Sequence, residues 1–139
     1  MTMIEQKEIT VMTCGRSIID ITADVAKVVD ACGCTVGSCH VFIQHTSASL
    51  LISENADPAV LRDLEMYLSA LVKDGHEDYT HTQEGKDDMA AHIRSMLTQT
   101  SLTIPVGNQR LLLGTWQAVY LWEHRYRGFE RRMVITVIG

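Results

Sequence analysis

The densest chemistry in the chain runs from His76 to His92, which reads His-Glu-Asp-Tyr-Thr-His-Thr-Gln-Glu-Gly-Lys-Asp-Asp-Met-Ala-Ala-His and holds three imidazoles and five carboxylates. Neutral imidazoles bind zinc and related divalent ions, and a catalytic site of this kind uses three protein ligands and leaves a position for water or substrate. His81 and His92 supply two such ligands, and His45, at the end of an apolar run, is the candidate for the third. Zinc suits the set best, with magnesium as the alternative. Asp88 lies four residues before His92, so the two share one face of a helix, and the carboxylate can orient an imidazole or simply favour the helix start. Each histidine also has an ordinary role open to it, as a hydrogen-bonded core residue.

Other polar residues stand where strands should end. Glu54 and Asn55 follow an apolar strand, and Glu123 closes another, placed to act as a general base or metal ligand or to pair with an arginine. Thr115-Trp116-Gln117 offers a hydroxyl, an aromatic plate and an amide; the plate can stack on a heteroaromatic ring or pack in a core or subunit interface. Ser47 and Ser49 lie close to His45, but no third member completes a hydrolase triad. Arg131 and Arg132, with Arg125 and Arg127, form a local cationic cluster suited to a small anion, or to a solvated sheet edge.

The elements that must position these groups follow from periodicity and punctuation. A first strand spans residues 5–13 and ends at Gly15; Thr22 is placed to cap a helix carrying Val25, Val28, Val29 and Cys32 inward, which Gly33 stops. From Ser38 to His45 a strand puts Val41, Ile43 and His45 on one face and His40, Phe42 and Gln44 on the other. Leu50 to Glu54 makes a strand expected to pair with it as a hairpin. Asp57 caps and Pro58 begins a helix that runs to about Lys73; a further helix, capped by Asp87 or Asp88, runs to about Thr98. Strands are expected at Ser101–Val106, Arg110–Gly114, Gln117–Glu123 and Arg132–Ile138, with turns at Gly107-Asn108 and Arg127-Gly128. Strands around a few helices, without regular alternation, give an α+β fold with a mainly antiparallel β-sandwich and two to three helices.

At 139 residues the chain fits one domain, 1–139, and no apolar run approaches the roughly 20 residues that cross a bilayer. No signal peptide is visible at the start, so a cytoplasmic location is expected, with no membrane partner. A net charge of −5 argues against a nucleic-acid partner. The four cysteines, Cys14, Cys32, Cys34 and Cys39, lack redox or zinc-knuckle spacing and read as free thiols.

His45-Thr46-Ser47-Ala48-Ser49-Leu50, Glu54-Asn55-Ala56-Asp57-Pro58, Tyr79-Thr80-His81 and Asp87-Asp88-Met89-Ala90-Ala91-His92-Ile93 occur in that order. They are followed by Leu102-Thr103-Ile104-Pro105-Val106, Leu113-Gly114-Thr115-Trp116-Gln117, Glu123-His124-Arg125 and Arg131-Arg132. This ordered set resembles the YjbQ-like family, also called secondary thiamine-phosphate synthase enzymes. The resemblance implies a homotrimer with orthogonally packed sheets around the threefold axis, and a weak ability to join a pyrimidine pyrophosphate to a thiazole phosphate. In that reaction a divalent ion and arginines, Arg131 or Arg132, would stabilise the departing pyrophosphate. Many members carry Asp-Gly-Pro-Arg where this chain has His124-Arg125-Tyr126-Arg127-Gly128. The expected function is thus a metal-dependent enzyme acting on a small phosphorylated metabolite. Two readings stand beside it: a non-catalytic trimeric protein that holds a metal or anionic metabolite, and a metal-dependent phosphate-ester hydrolase.

Overall fold

The computed structural model describes residues 2–139; Met1, the first residue of the expected domain, lies outside the described residues. In chain order the elements are β1 (Ile4–Met12), β2 (Ser17–Asp20), α1 (Thr22–Cys32), β3 (Val36–Ile43), β4 (Ala48–Glu54), α2 (Pro58–Leu71), α3 (Asp88–Leu97), β5 (Ser101–Gly107), β6 (Arg110–Leu111), β7 (Gln117–Glu123) and β8 (Glu130–Ile138). They form a five-stranded sheet in the order β1-β8-β3-β5-β6 and a three-stranded sheet in the order β2-β7-β4, antiparallel throughout.

The small sheet is covered on both faces, and this follows from its sequence. Strand β7 has no polar alternation after Gln117: Ala118 to Glu123 are all buried. Its inward residues Val119 and Leu121, with Leu50 of β4, meet Val41, Ile43, Met133 and Ile135 of the large sheet and Val25 and Val29 of α1. Its outer face carries Trp122, which packs with Leu68 and Val72 from the α2 side and Ala90 of α3. The large sheet alternates instead. Along β8, Arg131, Met133, Ile135 and Val137 are buried while Glu130, Arg132 and Ile138 are exposed, so the sheet's outer face has no cover from this chain.

The antiparallel α+β sandwich agrees with the expected fold class, but several local expectations change. Strands β3 and β4 do not form a hairpin: β3 pairs with β5 and β8, β4 with β7. The intervening segment, 44–47, carries the chain from one sheet to the other. Strand β2 is an addition; four residues are too few to display a period, and only pairing with β7 fixes them. Thr22 is not a cap but the first residue of α1, its hydroxyl accepting from Val119 N at 2.9 Å. Gly33 does end that helix, in the left-handed conformation at φ 68°. Asp57 caps α2 as expected, accepting from Ala59 N at 2.9 Å. Asn108 and Gln109, both at positive φ, make the two-residue turn that pairs β6 with β5, and β6 is only Arg110–Leu111, shorter than the expected Arg110–Gly114. All four cysteines are free, with Cys39 pushed up to about 11 by burial. No described helix is long and apolar enough to cross a membrane.

Candidate metal centre

Helix α3 begins beside the C-terminal end of β7. Its first turn presents two adjacent carboxylates, and the turn after β7 presents Arg125 to both. Arg125 donates from Nε to Asp87 at 2.9 Å, from Nη1 to Asp88 Oδ1 at 2.9 Å and from Nη2 to the carbonyl of Glu84 at 2.7 Å. Neither aspartate side chain therefore caps α3, contrary to expectation; a charge-assisted bond to the guanidinium displaces the weaker one to a backbone N–H. Asp87 also accepts from Tyr126 N at 2.8 Å. With Arg125 on Oδ1, the other oxygen of Asp88 is left to face His81 and His92.

Those three side chains converge. His81 Nε2 lies 2.6 Å and His92 Nε2 3.3 Å from Asp88 Oδ2, and the three ligand atoms lie within 4.8 Å of one another. The imidazoles meet edge to face with centroids 5.3 Å apart. Burial alone would raise the pKa of Asp88, but the hydrogen bond from His81 and the charges of Arg125 and His92 hold it below the usual carboxylate range, so it is ionised at neutral pH. The tautomer of His92 follows from its other nitrogen: Nδ1 lies 3.0 Å from the carbonyl of Thr46, a group that only accepts, so Nδ1 carries the hydrogen. In the neutral ring the Nε2 lone pair then points at the carboxylate oxygen that His81 already contacts. Two lone pairs facing each other repel, and a cation between them, a proton or a metal ion, removes the repulsion. Second-group contacts of this kind, imidazole to carbonyl and carboxylate to guanidinium, are what orient metal ligands. Two imidazole nitrogens and one carboxylate oxygen fit zinc or another transition ion, and fit magnesium poorly because it prefers oxygen ligands.

A family model described as UPF0047 protein YjbQ-like matches residues 7–139. This chain belongs to the YjbQ-like UPF0047 family. A UPF0047 protein of Synechocystis is 48% identical over 134 residues, covering 96% of this chain and 91% of that one. The UPF0047 protein YjbQ of Escherichia coli O157:H7 is 39% identical over 135 residues, covering 96% and 97%. Among solved structures, an uncharacterised YjbQ/UPF0047 protein from Clostridium acetobutylicum superposes with a TM-score of 0.86 at 36% identity, covering 94% of this chain and 98% of that one.

Within this YjbQ-like fold, the other residues singled out from sequence fall into two groups away from the cluster. His45 does not join His81 and His92. Its Nε2 accepts from Arg132 N at 2.8 Å, and burial together with the charges of Arg131 and Arg132 lowers its pKa and keeps that nitrogen free to accept. The neighbouring carbonyl of Thr46, not the imidazole, reaches the cluster. Of the two roles expected for Glu123 it takes the arginine pair: fully buried, it accepts from Arg131 Nε at 2.8 Å and from the Thr13 hydroxyl at 2.6 Å, away from the candidate metal cluster. Arg131 is correspondingly spent, its Nη2 also donating to Ser47 Oγ at 3.0 Å, so neither Arg131 nor Ser47 is the free anion clamp or hydroxyl expected. Arg132 is exposed on the outer face of the large sheet.

The second group sits at the opposite end of the small sheet. Register pairs Glu54 with Gln117 at one end of β4 and β7 and Ala48 with Glu123 at the other, six residues along, a separation of roughly 20 Å. There Glu54 accepts from Asp57 N at 2.8 Å, Asn55 N donates to the Trp116 carbonyl at 3.1 Å, and Asn55 Nδ2 donates to the Thr115 carbonyl at 3.2 Å. Gln117 closes its own turn by accepting from Gly114 N at 2.8 Å. Within one chain, Glu54, Asn55, Thr115, Trp116 and Gln117 lock two loops together and do not approach the His81, Asp88 and His92 cluster.

Two side chains at the cluster carried no distinguishing signal in the sequence. Arg125 was one of several arginines near the C-terminus. Glu84 is an exposed carboxylate whose Oε2 lies 3.4 Å from His81 Nε2. A Ser49–His124 pair also exists, at 2.8 Å, but it is no nucleophile and base. Arg94 Nε donates to His124 Nδ1 at 3.0 Å, so Nε2 must hold the proton and give it to Ser49. Burial and the charges of Arg94, Arg16 and Arg131 lower this imidazole to about 2.

Proposed function

We propose that the chain is a cytoplasmic, metal-dependent enzyme that acts on a small phosphorylated metabolite and assembles as a homotrimer, with a thiamine-phosphate-synthase-like transfer as its detectable activity. The observation that carries the metal reading is the convergence of two imidazole nitrogens on one ionised carboxylate oxygen, with the His92 tautomer set by Thr46 so that a lone pair faces inward. When bound, a divalent ion such as zinc supplies Lewis acidity toward an oxygen-bearing anion. The chain's own residues do the rest. Arg125 holds Asp88 ionised and aimed, and Thr46 fixes the plane of His92. Glu84 holds Arg125 through its backbone carbonyl, and its exposed carboxylate, 3.4 Å from His81 Nε2, stands at the solvent side of the cluster, where it is placed to act as a proton acceptor for a bound substrate.

The transfer reading rests on the sequence resemblance and on the chemistry of the donor set, which suits stabilising negative charge on a departing phosphate group. The trimer reading is supported by the uncovered outer face of the large sheet. The test is metal content and turnover on the same purified protein. His81→Ala should lower bound zinc by at least tenfold and abolish coupling of a pyrimidine pyrophosphate to a thiazole phosphate. Unchanged metal content would reject the centre; metal without any turnover would favour a binding protein, and phosphate release from simple esters would favour a hydrolase.

A further inference from the structure

The loop between α2 and α3 is a closed excursion. Gly75 N–H donates to the Lys86 carbonyl at 2.8 Å, which clasps the two ends of residues 75–86 together in the manner of a compact Ω-loop. Inside the clasp lies a cleft of about 380 Å³, at the small end of the range for metabolite sites, and His81 lines both this cleft and the metal cluster. Whatever occupies the cleft therefore lies beside the candidate metal centre.

The lining has a definite chemical character. His76 and Tyr79 stand with ring centroids 5.3 Å apart, giving one wall two aromatic faces. The Tyr79 hydroxyl is spent on the Lys73 carbonyl at 2.9 Å, so the ring is what Tyr79 offers. His76 Nδ1 accepts from Asp78 N at 3.0 Å, which leaves Nε2 as the N–H donor of the neutral ring. Lys86 supplies the only ammonium or guanidinium in residues 74–88, a stretch that also contains six carboxylates. Among the described residues its ammonium has no carboxylate partner, whereas Asp74, Asp87 and Asp88 are each held by an arginine. The stem of Lys86 lies across Gly75 so closely that a Cβ there would sit 3.3 Å from Lys86 Cδ, and Gly75 itself has φ +61°. Gly75 thus both makes the turn and leaves room for the lysine to lie along the cleft.

We propose that this cleft is the substrate site and that Lys86 receives a phosphate group of the substrate, whose planar portion lies against His76 and Tyr79. A lysine ammonium acts as a point charge for a phosphate and needs no fork geometry, which suits a single cation at a cleft rim. The same assignment supplies the anion-binding group that Arg131, buried against Glu123, does not. It rests on the reading of the site as one that handles a phosphorylated metabolite, and it adds which residue and which cleft do so.

The test is calorimetric titration of the full, metal-loaded protein with phenyl phosphate, which carries one ring and one phosphate, and with phenol as the uncharged control. Lys86→Met keeps the stem and removes the charge. It should weaken phenyl phosphate binding about 10- to 100-fold, the size expected for one charge-assisted bond, and leave both phenol binding and metal content unchanged. Gly75→Ala, which displaces the stem, should weaken phosphate binding in the same direction. Equal phenyl phosphate affinity in wild type and Lys86→Met, or no binding to wild type at millimolar concentration, overturns the assignment. Metal content, read separately by elemental analysis, distinguishes this from failure of the metal centre: a Lys86-dependent phosphate site in protein that holds no metal would sink the metal reading and leave the cleft standing.

Discussion

Asp88 has two oxygens and a different task for each: Oδ1 meets a guanidinium that is always charged, and Oδ2 meets two imidazoles. Arg125 is therefore the residue that decides whether the cluster is preorganised, since it binds Asp87, Asp88 and the Glu84 carbonyl at once. Arg125→Met should lower metal affinity about 10- to 100-fold, the usual cost of losing a group that orients a ligand, while a metal-free sample keeps its secondary structure. Competition with a chromophoric chelator measures this, and an affinity within twofold of wild type would remove Arg125 from the site. The spacing of Asp88 and His92 was legible because four residues is a helical period, and His81 because it lies in a stretch dense with imidazoles and carboxylates. His45 departs from the expected ligand set for a physical reason. A strand-end imidazole takes whichever partner the neighbouring strand's register brings, here the backbone N–H of Arg132, and register is not written in the strand itself. Arg125 was hidden because its partners come from another part of the chain.

At the scale of elements, the small sheet works as a spacer with a polar layer between it and the helices. Thr98 lies 2.6 Å from Ser49, Ser49 2.8 Å from His124, and His124 is held by Arg94, which binds Glu65 with both carboxylate oxygens at 2.8 Å. Trp122 Nε1 donates to the same Glu65 at 3.1 Å, so strand, α2 and α3 are stitched at one place. Among the described residues no buried side-chain polar atom lacks a partner. This layer requires a neutral His124, with a consequence for acid stability. Burial, then the charges of Arg94, Arg16 and Arg131, put the folded pKa at about 2, against 6.5 for the free side chain. The unfolded chain takes up a proton as pH falls through 6.5 and the folded chain does not until about 2, so stability declines across that window by up to about 1.4 kcal/mol per pH unit. Asp74, Asp87 and Asp88 have lowered pKa values, so their stabilisation is present above 3.8 and is lost only below it. Urea unfolding at pH 6.5 and 5.0 isolates the histidine contribution. Wild type should lose on the order of 2 kcal/mol over that interval, and His124→Gln, whose amide oxygen can still accept from Arg94, should be less stable at pH 6.5 but show a distinctly shallower pH slope. An equal slope in the two proteins would place the acid sensitivity elsewhere. The sequence revealed β7 as an apolar strand but not that β3 and β4 belong to different sheets. Apolar runs two to eight residues apart look the same whether a hairpin or a change of sheet joins them.

At the scale of the molecule, the large sheet exposes the face that the small sheet does not cover. Phe42 is 42% exposed near the end of β3, the middle strand, between Ser101 of β5 and Val134 of β8, with Val36 and Ile138 exposed toward the other end. Apolar residues of this size on a flat, uncovered sheet are what a subunit contact would bury, and a contact repeated by a threefold axis would bring three copies of one strand face close together. Phe42→Glu should then place like charges near one another in every contact and dissolve the assembly. Light scattering on the eluted protein should give about three times 15.5 kDa for wild type and 15.5 kDa for the variant. Circular dichroism should be unchanged, because Phe42 contributes nothing to the buried core. The candidate metal centre makes the result informative about function as well. His81, Asp88 and His92 all come from one chain, and so does each group that orients them, so a monomeric Phe42→Glu protein should keep its metal. If it keeps the metal and loses turnover, the missing part of the site comes from a neighbouring subunit, and the exposed Trp116, at the far end of the small sheet, is the first residue to substitute. A variant that remains trimeric moves the contact to another face, and a monomeric wild type removes the trimer altogether.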